Sequence, residues 1–544
     1  MAVRVLDPYG AARFATFKEV RQAGLLRPHG VEFGLAHGRP LFHRNRAGVK
    51  VTGGAGSGKT SQTAIPMILG SRSVFVLLDV KNGEITRVIE PHCALARIPL
   101  YTLDPYEVTG FPQLRTSLLS HLRSGSSTLV PDSQRFWQAI LPDSGGDSRF
   151  FDQAGRRFGD AVTRHDVGLN CGTSLLRLFE VCSMLRADFS AWCGWAELAK
   201  DHGTLDLIAT FAEMAEMYEA SPKTFESIMA GVSNALAFMT DPAIQATFVD
   251  DVAADFPLEV IADPSAGPVI VSLILPEEVL EPLAPLVRQF FSSVRTIKQR
   301  RPDAPPVNLL IDEAARLGRF GELADFFAIG RGAGLTPWVF YQDDGQIVRN
   351  LGPTGKATIE ANAALLLDLG GGIRDYETAR ARSDALGYQT VTVDDPLTQI
   401  RGQSAALELK RKVLLEGADP FEAAYRLRQL DYEAMHRTKL RKALMEPEEL
   451  LRLDTGKMLV QARGYHLRPF IAQKLPYFRQ RRFAGRYFPN PNEERDMGSV
   501  AIKTFWGTRR RKIAQEPVPS SLSHLPQYAG GRPLRYVAGF KPKT

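Results

Sequence analysis

The chain has 544 residues, of which 44% are hydrophobic and 23% charged, and it carries a net charge of +7. This length exceeds what one compact core accommodates, so we expect two or three domains. The longest apolar runs, such as "SVFVLL" and "VIVSLIL", are strand-sized and too short to cross a bilayer, and the N-terminus has no signal-peptide core. These features argue against a membrane-spanning or secreted protein and predict a cytoplasmic one.

The four cysteines show no CxxC spacing and no paired histidines. We therefore expect reduced, buried thiols rather than a metal site or disulfides. They are Cys93, Cys171, Cys182 and Cys193.

The first functional motif lies in "VTGGAGSGKTSQT", residues 51–63, which fits G-x-x-x-x-G-K-[ST]. In such a loop the backbone N–H groups turn onto phosphate oxygens, Lys59 meets the β- and γ-phosphates, and the Thr60 hydroxyl ligates Mg²⁺. A short strand is predicted before the loop, and after it a helix ended by Pro66 and Gly70. The strand–loop–helix context predicts a nucleotide site. Its candidate binding residues are Gly53, Gly54, Ala55, Gly56, Ser57, Gly58, Lys59 and Thr60.

Two further apolar strands end in polar residues. "FVLLDVKNGE" ends in Asp79, Lys81 and Glu84, and "TPWVFYQD" ends in Gln342. The carboxyl ends of parallel strands line a ligand crevice, so these side chains are candidate site residues, with Gln342 as a γ-phosphate sensor.

The strand "VNLLIDE", residues 307–313, supplies the second carboxylate that a P-loop needs for Mg²⁺. Asp312 would hold the metal together with Thr60, and Glu313 would polarise the attacking water. The alternative is an ordinary strand terminus. Further on, "AIGRGAG" places Arg331 between glycines on what we expect to be an exposed loop. Arg331 would stabilise phosphoryl charge in trans, or simply cap a helix.

Two stretches are predicted to be insertions in the nucleotide-binding domain. Residues 146–255 show apolar residues at three- and four-residue steps, typical of helices. Their methionines could form either a core or an adaptable partner surface. Residues 396–444 are highly charged with alternating signs, which predicts exposed helices. These form either a solvated hairpin or a contact element, and Lys410, Arg411, Arg441 and Lys442 could face DNA.

The C-terminal region is basic. "YFRQRRFAGRYF" interleaves arginines with aromatic rings, which suits either single-stranded nucleic acid or a final amphipathic strand. Residues 500–544 contain nine Lys or Arg and one acid, whereas the remainder sums to −1. Because this tail is rich in Pro, Gly and Ser, we expect it to be flexible. It could bind nucleic acid, an anionic membrane or an acidic partner, or only keep the protein soluble.

These motifs, in this order, resemble the coupling-protein family of conjugative type IV secretion systems. The similar segments include "GAARFATFKEVRQAGLL", "GKTSQTAIPMIL", "LLDVKNGE", "LIDEAARLG", "IGRGAGL", "FYQDDGQI", "ANAALLLDLG", "MEPEELLRL" and "KLPYFRQRRF". The resemblance covers about residues 8–490. Two departures stand out: the chain starts without the family's usual transmembrane helices, and Asn82 is inserted before Gly83.

The resemblance implies an α/β, RecA-like P-loop ATPase with a mostly parallel central sheet and an inserted all-α domain. ATP and Mg²⁺ would be the cofactors. The active form would be a homo-hexamer, and the isolated protein could be a monomer. It would drive single-stranded DNA led by a relaxase, or secreted effectors, into the channel from the cytoplasmic face of the inner membrane. By match, Lys59, Thr60, Asp312, Glu313, Arg331 and Gln342 carry the chemistry.

On this basis we predict a division of the chain into seven segments. A leading segment (1–46) precedes the nucleotide-binding domain, which is split into 47–145, 256–395 and 445–490. The all-α domain (146–255) and the charged helical insertion (396–444) separate its parts, and the basic tail (491–544) follows. Two alternatives stay open: a double-stranded DNA pump of the FtsK/HerA kind, and an ATP-binding adaptor with little turnover.

Overall fold

The computed structural model describes residues 7–265, 267–435 and 437–543. They form two compact units, one of residues 16–373 and 454–543 and a smaller one of residues 7–15 and 374–453. The strands are β1 (Val31–Ala36), β2 (Arg39–His43), β3 (Val49–Thr52), β4 (Val74–Asp79), β5 (Leu100–Leu103), β6 (Ile270–Ile274), β7 (Val307–Ile311), β8 (Leu335–Tyr341), β9 (Leu365–Leu369), β10 (Tyr388–Asp394), β11 (Arg437–Ala443), β12 (Lys457–Gln461), β13 (Phe470–Gln473), β14 (Ser499–Thr504), β15 (Gly507–Glu516) and β16 (Leu534–Val537).

The α-helices are α1 (Phe17–Gln22), α2 (Ile65–Leu69), α3 (Glu84–Ala96), α4 (Leu129–Ile140), α5 (Arg149–Asn170), α6 (Leu175–Ala187), α7 (Phe189–Glu197), α8 (Ala199–His202), α9 (Leu205–Ala220), α10 (Pro222–Leu236), α11 (Pro242–Thr247), α12 (Ala284–Arg300), α13 (Glu322–Ala333), α14 (Asp344–Asn362), α15 (Tyr376–Leu386), α16 (Pro396–Leu415), α17 (Pro420–Ala434) and α18 (Pro447–Leu451). Within the described ranges, no helix is both long enough and apolar enough to cross a membrane.

The larger unit is built on an 11-stranded sheet with the order β2-β1-β13-β12-β9-β3-β8-β7-β4-β6-β5. The strands from β9 to β5 are parallel, and the other four join them antiparallel at one edge. Strands β4, β6, β7 and β8 are buried along their whole length. Parallel sheets are covered on both faces, which is why these strands are continuous apolar runs. The predicted mostly parallel α/β fold is confirmed.

The sheet order brings the predicted motifs together. Strand β3, which leads into the P-loop, lies between β8 and β9, and β7 lies on the other side of β8. Their parallel alignment places the carboxyl ends of β3, β7 and β8 at one edge. The helix after the P-loop does not end at Pro66: it begins with a π-helical segment, Thr60–Ala64, and continues as α2 to Leu69. Pro66 lies at the junction of the π-helical segment and α2, inside the continuous helix, where its missing N–H removes one backbone hydrogen bond without ending the helix.

Helices α4 to α11 lie between β5 and β6 in sequence and pack around aromatic rings. Trp137, Phe158, Trp192 and Phe225 are buried there, and the Trp137 Nε1–H donates to Thr163 Oγ1 at 2.9 Å. The methionines of this region belong to its core or pack against it; they are Met184, Met214, Met217, Met229 and Met239. This favours the packing interpretation of the methionines over the partner surface.

All four cysteines are free. Cys93 and Cys182 are buried as expected, but Cys193 is half-buried, and Cys171, which follows α5 with a left-handed backbone (φ 62°), is exposed.

The expectation of a flexible tail is wrong for most of its length. Strands β14, β15 and β16 form a three-stranded antiparallel sheet. Behind them Leu522, Leu525 and Leu534 are buried against α3 at Ala94. Gln527 is also buried; its Oε1 accepts from the backbone N–H of Leu100 at 3.0 Å. Prolines and basic residues suggested disorder, but a few well-spaced leucines are enough to anchor the segment.

In the smaller unit, β10 pairs with β11 along seven residues, and α16 and α17 form a helical hairpin within the segment predicted to be charged and helical. The Arg441 guanidinium lies 3.5 Å from the centre of the Tyr388 ring. Arg441, one of the candidates for facing DNA, is therefore stacked on an aromatic side chain of its own unit.

Candidate nucleotide-binding site

A cavity of about 670 Å³ opens over the P-loop in the larger unit. Residues 54–62 form its base, and the turn after β4, the loop after β6 and the carboxyl ends of β7 and β8 form its walls. Residues Asn492 and Glu493 of the C-terminal region complete it. Glu313 and Gln342 line it, as predicted, together with Lys81 and Glu84.

The P-loop is held by backbone hydrogen bonds to neighbouring elements. Gly53 N–H donates to the Tyr341 carbonyl and Gly54 N–H to the Gly372 carbonyl, both at 3.0 Å. Gly56 and Gly58 have φ of 76° and 81°. Glycine adopts this left-handed backbone without strain, and the resulting turn directs N–H groups into the cavity.

A buried lysine that follows β13, three strands away from β3 in the sheet, holds the loop. Lys474 follows β13 and is 3% exposed. Its Nζ donates to the carbonyl oxygens of Ser57 at 2.5 Å and Gly370 at 2.9 Å. Burial lowers the pKa of Lys474 to about 8. The sequence motif gave no sign of this residue, because it lies more than 400 positions from the loop that it holds.

The two acids after β7 are both buried, with exposed fractions of 3% for Asp312 and 7% for Glu313. Burial, reinforced by the charge of Glu313, raises the pKa of Asp312 to about 6, and Lys59 and Lys81 oppose the shift. Glu313 has a left-handed backbone with φ of 50°. Such a conformation is strained for a non-glycine residue and is typical of functional positions.

Glu313 lies between two predicted site residues. Lys59 Nζ donates to Glu313 Oε1 at 3.2 Å, and Gln342 Nε2 donates to Glu313 Oε2 at 3.2 Å. Close by, Thr60 Oγ1 is buried and has no hydrogen-bond partner in the described chain. The structure thus brings Lys59, Thr60, Asp312, Glu313 and Gln342 to one place.

Asp79, in contrast, is turned away from the cavity. It accepts hydrogen bonds from the N–H and the hydroxyl of Thr86, both at 2.8 Å, and burial raises its pKa to about 6. Asn82 and Gly83 both have positive φ, 50° and 71°. This double left-handed turn accommodates the extra residue before Gly83 and keeps Lys81 and Glu84 at the cavity wall.

The C-terminal region contributes a wall that the sequence did not suggest. Asn490 Nδ2 donates to Glu84 Oε1 at 2.7 Å, and Asn492 Nδ2 donates to Glu84 Oε2 at 3.1 Å. Asn492 and Glu493 therefore form one side of the nucleotide cavity, and Asn490 helps to hold Glu84 in its wall.

Arg331 does not join this cluster. It lies in the last turn of α13, not on a loop as expected, because Gly330 is buried against β8 and the helix continues through both glycines to Ala333. Its side chain is exposed and is not among the residues that line the cavity. An arginine in this position is available to a neighbouring molecule rather than to its own P-loop.

Comparison with known proteins shows the family to which the chain belongs. The family model described as "Type IV secretory system Conjugative DNA transfer" matches residues 13–412. None of the curated proteins searched matches the sequence.

Solved structures of the bacterial conjugative coupling protein TrwB share the fold. TrwBΔN70 in complex with sulphate superposes with a TM-score of 0.60 at 18% identity, covering 86% of this chain and 95% of that one. TrwB in complex with ADP and Mg²⁺ gives a TM-score of 0.58 at 18% identity, covering 85% and 93%. TrwB with a non-hydrolysable ATP analogue gives 0.57 at 20% identity, covering 84% and 92%. The predicted RecA-like P-loop fold and the resemblance to coupling proteins are confirmed, and the chain belongs to the type IV secretory system family of conjugative DNA transfer proteins.

Proposed function

We propose that this chain is an ATP-hydrolysing coupling protein that moves conjugative DNA, or proteins, into a type IV secretion channel. The observation that carries the proposal is the position of Glu313 between Lys59 and Gln342 under the P-loop, with Asp312 beside it. The complexes of TrwB with ADP and Mg²⁺ and with an ATP analogue support ATP and Mg²⁺ as cofactors.

The residues present fit a Mg²⁺ ion. Thr60 Oγ1 is a buried oxygen with no hydrogen-bond partner among the described residues, and Asp312, after β7, offers a buried carboxylate at the same edge of the sheet. Hard oxygen ligands of this kind suit Mg²⁺, which also uses phosphate oxygens of the nucleotide. When bound, the ion would neutralise charge on the β- and γ-phosphates.

The Lys59–Glu313 ion pair gives nucleotide binding a direct effect on the acid. Lys59 cannot keep its 3.2 Å contact with Glu313 and also move up to the phosphates. As Lys59 turns to the phosphates, Glu313 Oε1 is freed to accept a proton from water. Glu313 is thus paired with Lys59 until a nucleotide draws the lysine away.

Gln342 acts as a positioning residue for Glu313. Its amide donates to Glu313 Oε2, and its backbone N–H donates to Gln346 Oε1 at 3.0 Å at the start of α14. Glu313 is therefore held in place from the β8 side while Oε1 changes partner. A general base held within reach of its water contributes about 10²- to 10⁴-fold to the rate.

Hydrolysis would be coupled between subunits. In a homo-hexamer, Arg331 on the exposed end of α13 would reach the γ-phosphate of the adjacent subunit, and a monomer in isolation would lack this contact. The substrates are single-stranded DNA linked to a relaxase, or secreted effectors, handed to the secretion system at the inner membrane. The chain would be divided into the seven segments given above, with the all-α domain (146–255) facing the substrate.

ATP turnover by the purified protein, measured alone, with single-stranded DNA and with duplex DNA, tests the proposal. The Glu313→Gln variant serves as the hydrolysis control. Stimulation by single strands that the variant loses is the expected result. Tight ATP binding without turnover under every condition would refute the motor, and stimulation by duplex alone would favour a double-stranded DNA pump.

A further inference from the structure

A second cavity, of about 850 Å³, lies in the larger unit between α3 and the C-terminal region. Seven basic side chains line it, and no carboxylate does so among the described residues. The basic residues are Arg72, Arg97, Arg481, Arg482, Arg486, Lys541 and Lys543. We refer to it as the basic pocket.

The structure itself neutralises only part of this charge. Arg482 pairs with Glu32 and Lys541 pairs with Glu516. In the described chain, no carboxylate forms an ion pair with Arg481 or Arg486. Burial and the charges of Arg482 and Arg72 lower the pKa of Arg486, so these cations repel one another. An anion in the pocket would relieve that repulsion.

A buried histidine borders the same pocket. His92 is 2% exposed, and neither of its ring nitrogens has a hydrogen-bond partner in the described chain. Burial, together with Arg486 and Arg72, lowers its pKa to about 3, so the ring is neutral near pH 7. A neutral imidazole still offers one N–H donor. Buried polar groups are rarely left without a partner, so the unpaired ring points to a ligand with acceptor oxygens.

Next to the pocket, the β14–β15 hairpin ends in two exposed aromatic residues. Phe505 is 74% exposed and Trp506 is 80% exposed. The Arg481 guanidinium lies 5.8 Å from the centre of the Phe505 ring, which joins the tip to the basic pocket. Beyond the tip, Arg509 and Arg511 on β15 are also exposed. Exposed aromatic rings therefore lie beside the cations of the basic pocket.

The two rings are set at 80° to each other with centroids 5.2 Å apart. Successive bases of a single strand stack on aromatic faces along a groove, and two perpendicular rings on a protruding turn do not form such a platform. Exposed Trp and Phe beside Arg and Lys are instead the composition of a surface that enters the headgroup layer of a membrane. Pockets of basic residues take lipid phosphates.

We propose that the basic pocket binds the phosphate headgroup of an anionic phospholipid while Phe505 and Trp506 lie in the membrane interface. This inference rests on the proposed function, in which substrates are handed over at the inner membrane, and it gives contact with that membrane a specific site. Arg72, His92 and Arg97 of the pocket lie within the part of the chain that the family model matches, whereas Arg481, Arg486 and the aromatic tip lie beyond position 412.

The test is co-flotation of the full chain with vesicles of phosphatidylcholine, alone or mixed with phosphatidylglycerol. We expect binding only to the anionic vesicles and a blue shift of tryptophan fluorescence. The shift would report mainly Trp506, because Trp137, Trp192 and Trp338 are buried and Trp195 is half-buried against the core. The double variant Arg481→Glu/Arg486→Glu should bind at least about thirtyfold more weakly. Trp506→Ala should bind more weakly and lose the shift.

The matched control is Lys18→Glu/Arg21→Glu, which changes the net charge equally on the exposed face of α1. If this control loses binding as fully as the pocket variant, only net charge matters and the proposal is wrong. If the wild type ignores vesicles but binds a single-stranded oligonucleotide through Arg481 and Arg486, the pocket is a nucleic-acid site and the proposal is equally wrong. ATP turnover is measured on every variant. Normal turnover with lost flotation separates failure of the lipid site from failure of the motor.

Discussion

Replacing Lys474 by methionine should weaken nucleotide binding although the side chain never reaches the nucleotide. Methionine keeps most of the buried length of the side chain but donates no hydrogen bonds. The carbonyl oxygens of Ser57 and Gly370 would lose their donor inside the protein. Ser57 belongs to the P-loop itself, so the loop would lose the contact that fixes its inward-facing N–H groups.

The size of the effect follows from these two contacts. A hydrogen bond from a charged donor contributes about 1.5–3 kcal/mol, so losing both destabilises the fold by about 3–6 kcal/mol before relief from burying a charge is subtracted. If the Ser57 contact alone sets the loop conformation, nucleotide affinity falls by roughly 10- to 150-fold.

A matched control separates loop geometry from stability. Lys298 is also buried, and its Nζ donates to three carbonyl oxygens near the end of α12, those of Arg301, Pro302 and Ala304. Lys298→Met should therefore lower the free energy of unfolding in urea without changing nucleotide affinity. Titration with a fluorescent ATP analogue gives the affinity for each variant. Unchanged affinity in Lys474→Met would show that the loop does not depend on this lysine.

Three further results are expected. Glu313→Gln should bind ATP but turn it over about 10²- to 10⁴-fold more slowly; fast single-turnover hydrolysis would contradict its role as base. Burial raises the pKa of Asp79 to about 6 in the folded protein. Asp79 therefore stabilises the fold fully at pH values below its unfolded pKa, and this stabilisation is lost as the pH rises through 6. Relative to Asp79→Asn, the wild type should lose up to about 3 kcal/mol of its free energy of unfolding between about pH 4 and 7. The same pH dependence for both proteins in urea unfolding would argue against this. Finally, Arg331→Ala and Lys59→Ala proteins should each be inactive but regain turnover when mixed, because one mixed interface contains both intact residues. Failure to complement would place Arg331 outside the trans site.

The parts of the site that the sequence predicted are those made from local patterns. The P-loop and the "LLIDE" strand end each carry their chemistry within a few residues, and buried parallel strands are recognisable as apolar runs. Their meeting at Glu313 follows from the sheet order, in which β8 separates β3 from β7. No local pattern in the sequence predicts that order.

The residues that were missed act over long sequence distances. Lys474, Asn490 and Asn492 are ordinary polar residues in their own segments, and only tertiary contact places them at the P-loop and at Glu84. The sequence predicts a loop at Arg331 because glycines flank it on both sides. Glycine destabilises a helix by only about 1 kcal/mol, which packing of α13 against β8 outweighs.

The place of β3 in the sheet has a consequence for how the protein is made. Both neighbours of β3 are synthesised much later: Thr52 pairs with Tyr341 on one side and with Asp368 on the other. The hairpin of β1 and β2 acquires its neighbouring strand later still, since Leu35 of β1 pairs with Gln473 of β13. On the ribosome, the P-loop segment therefore emerges long before the strands that hold it, and its apolar strand stays unpaired while the helical segments fold. Such non-local pairing is slow, so the unpaired P-loop strand is exposed to aggregation during much of the synthesis. A fragment that ends before Glu493 lacks part of the nucleotide cavity.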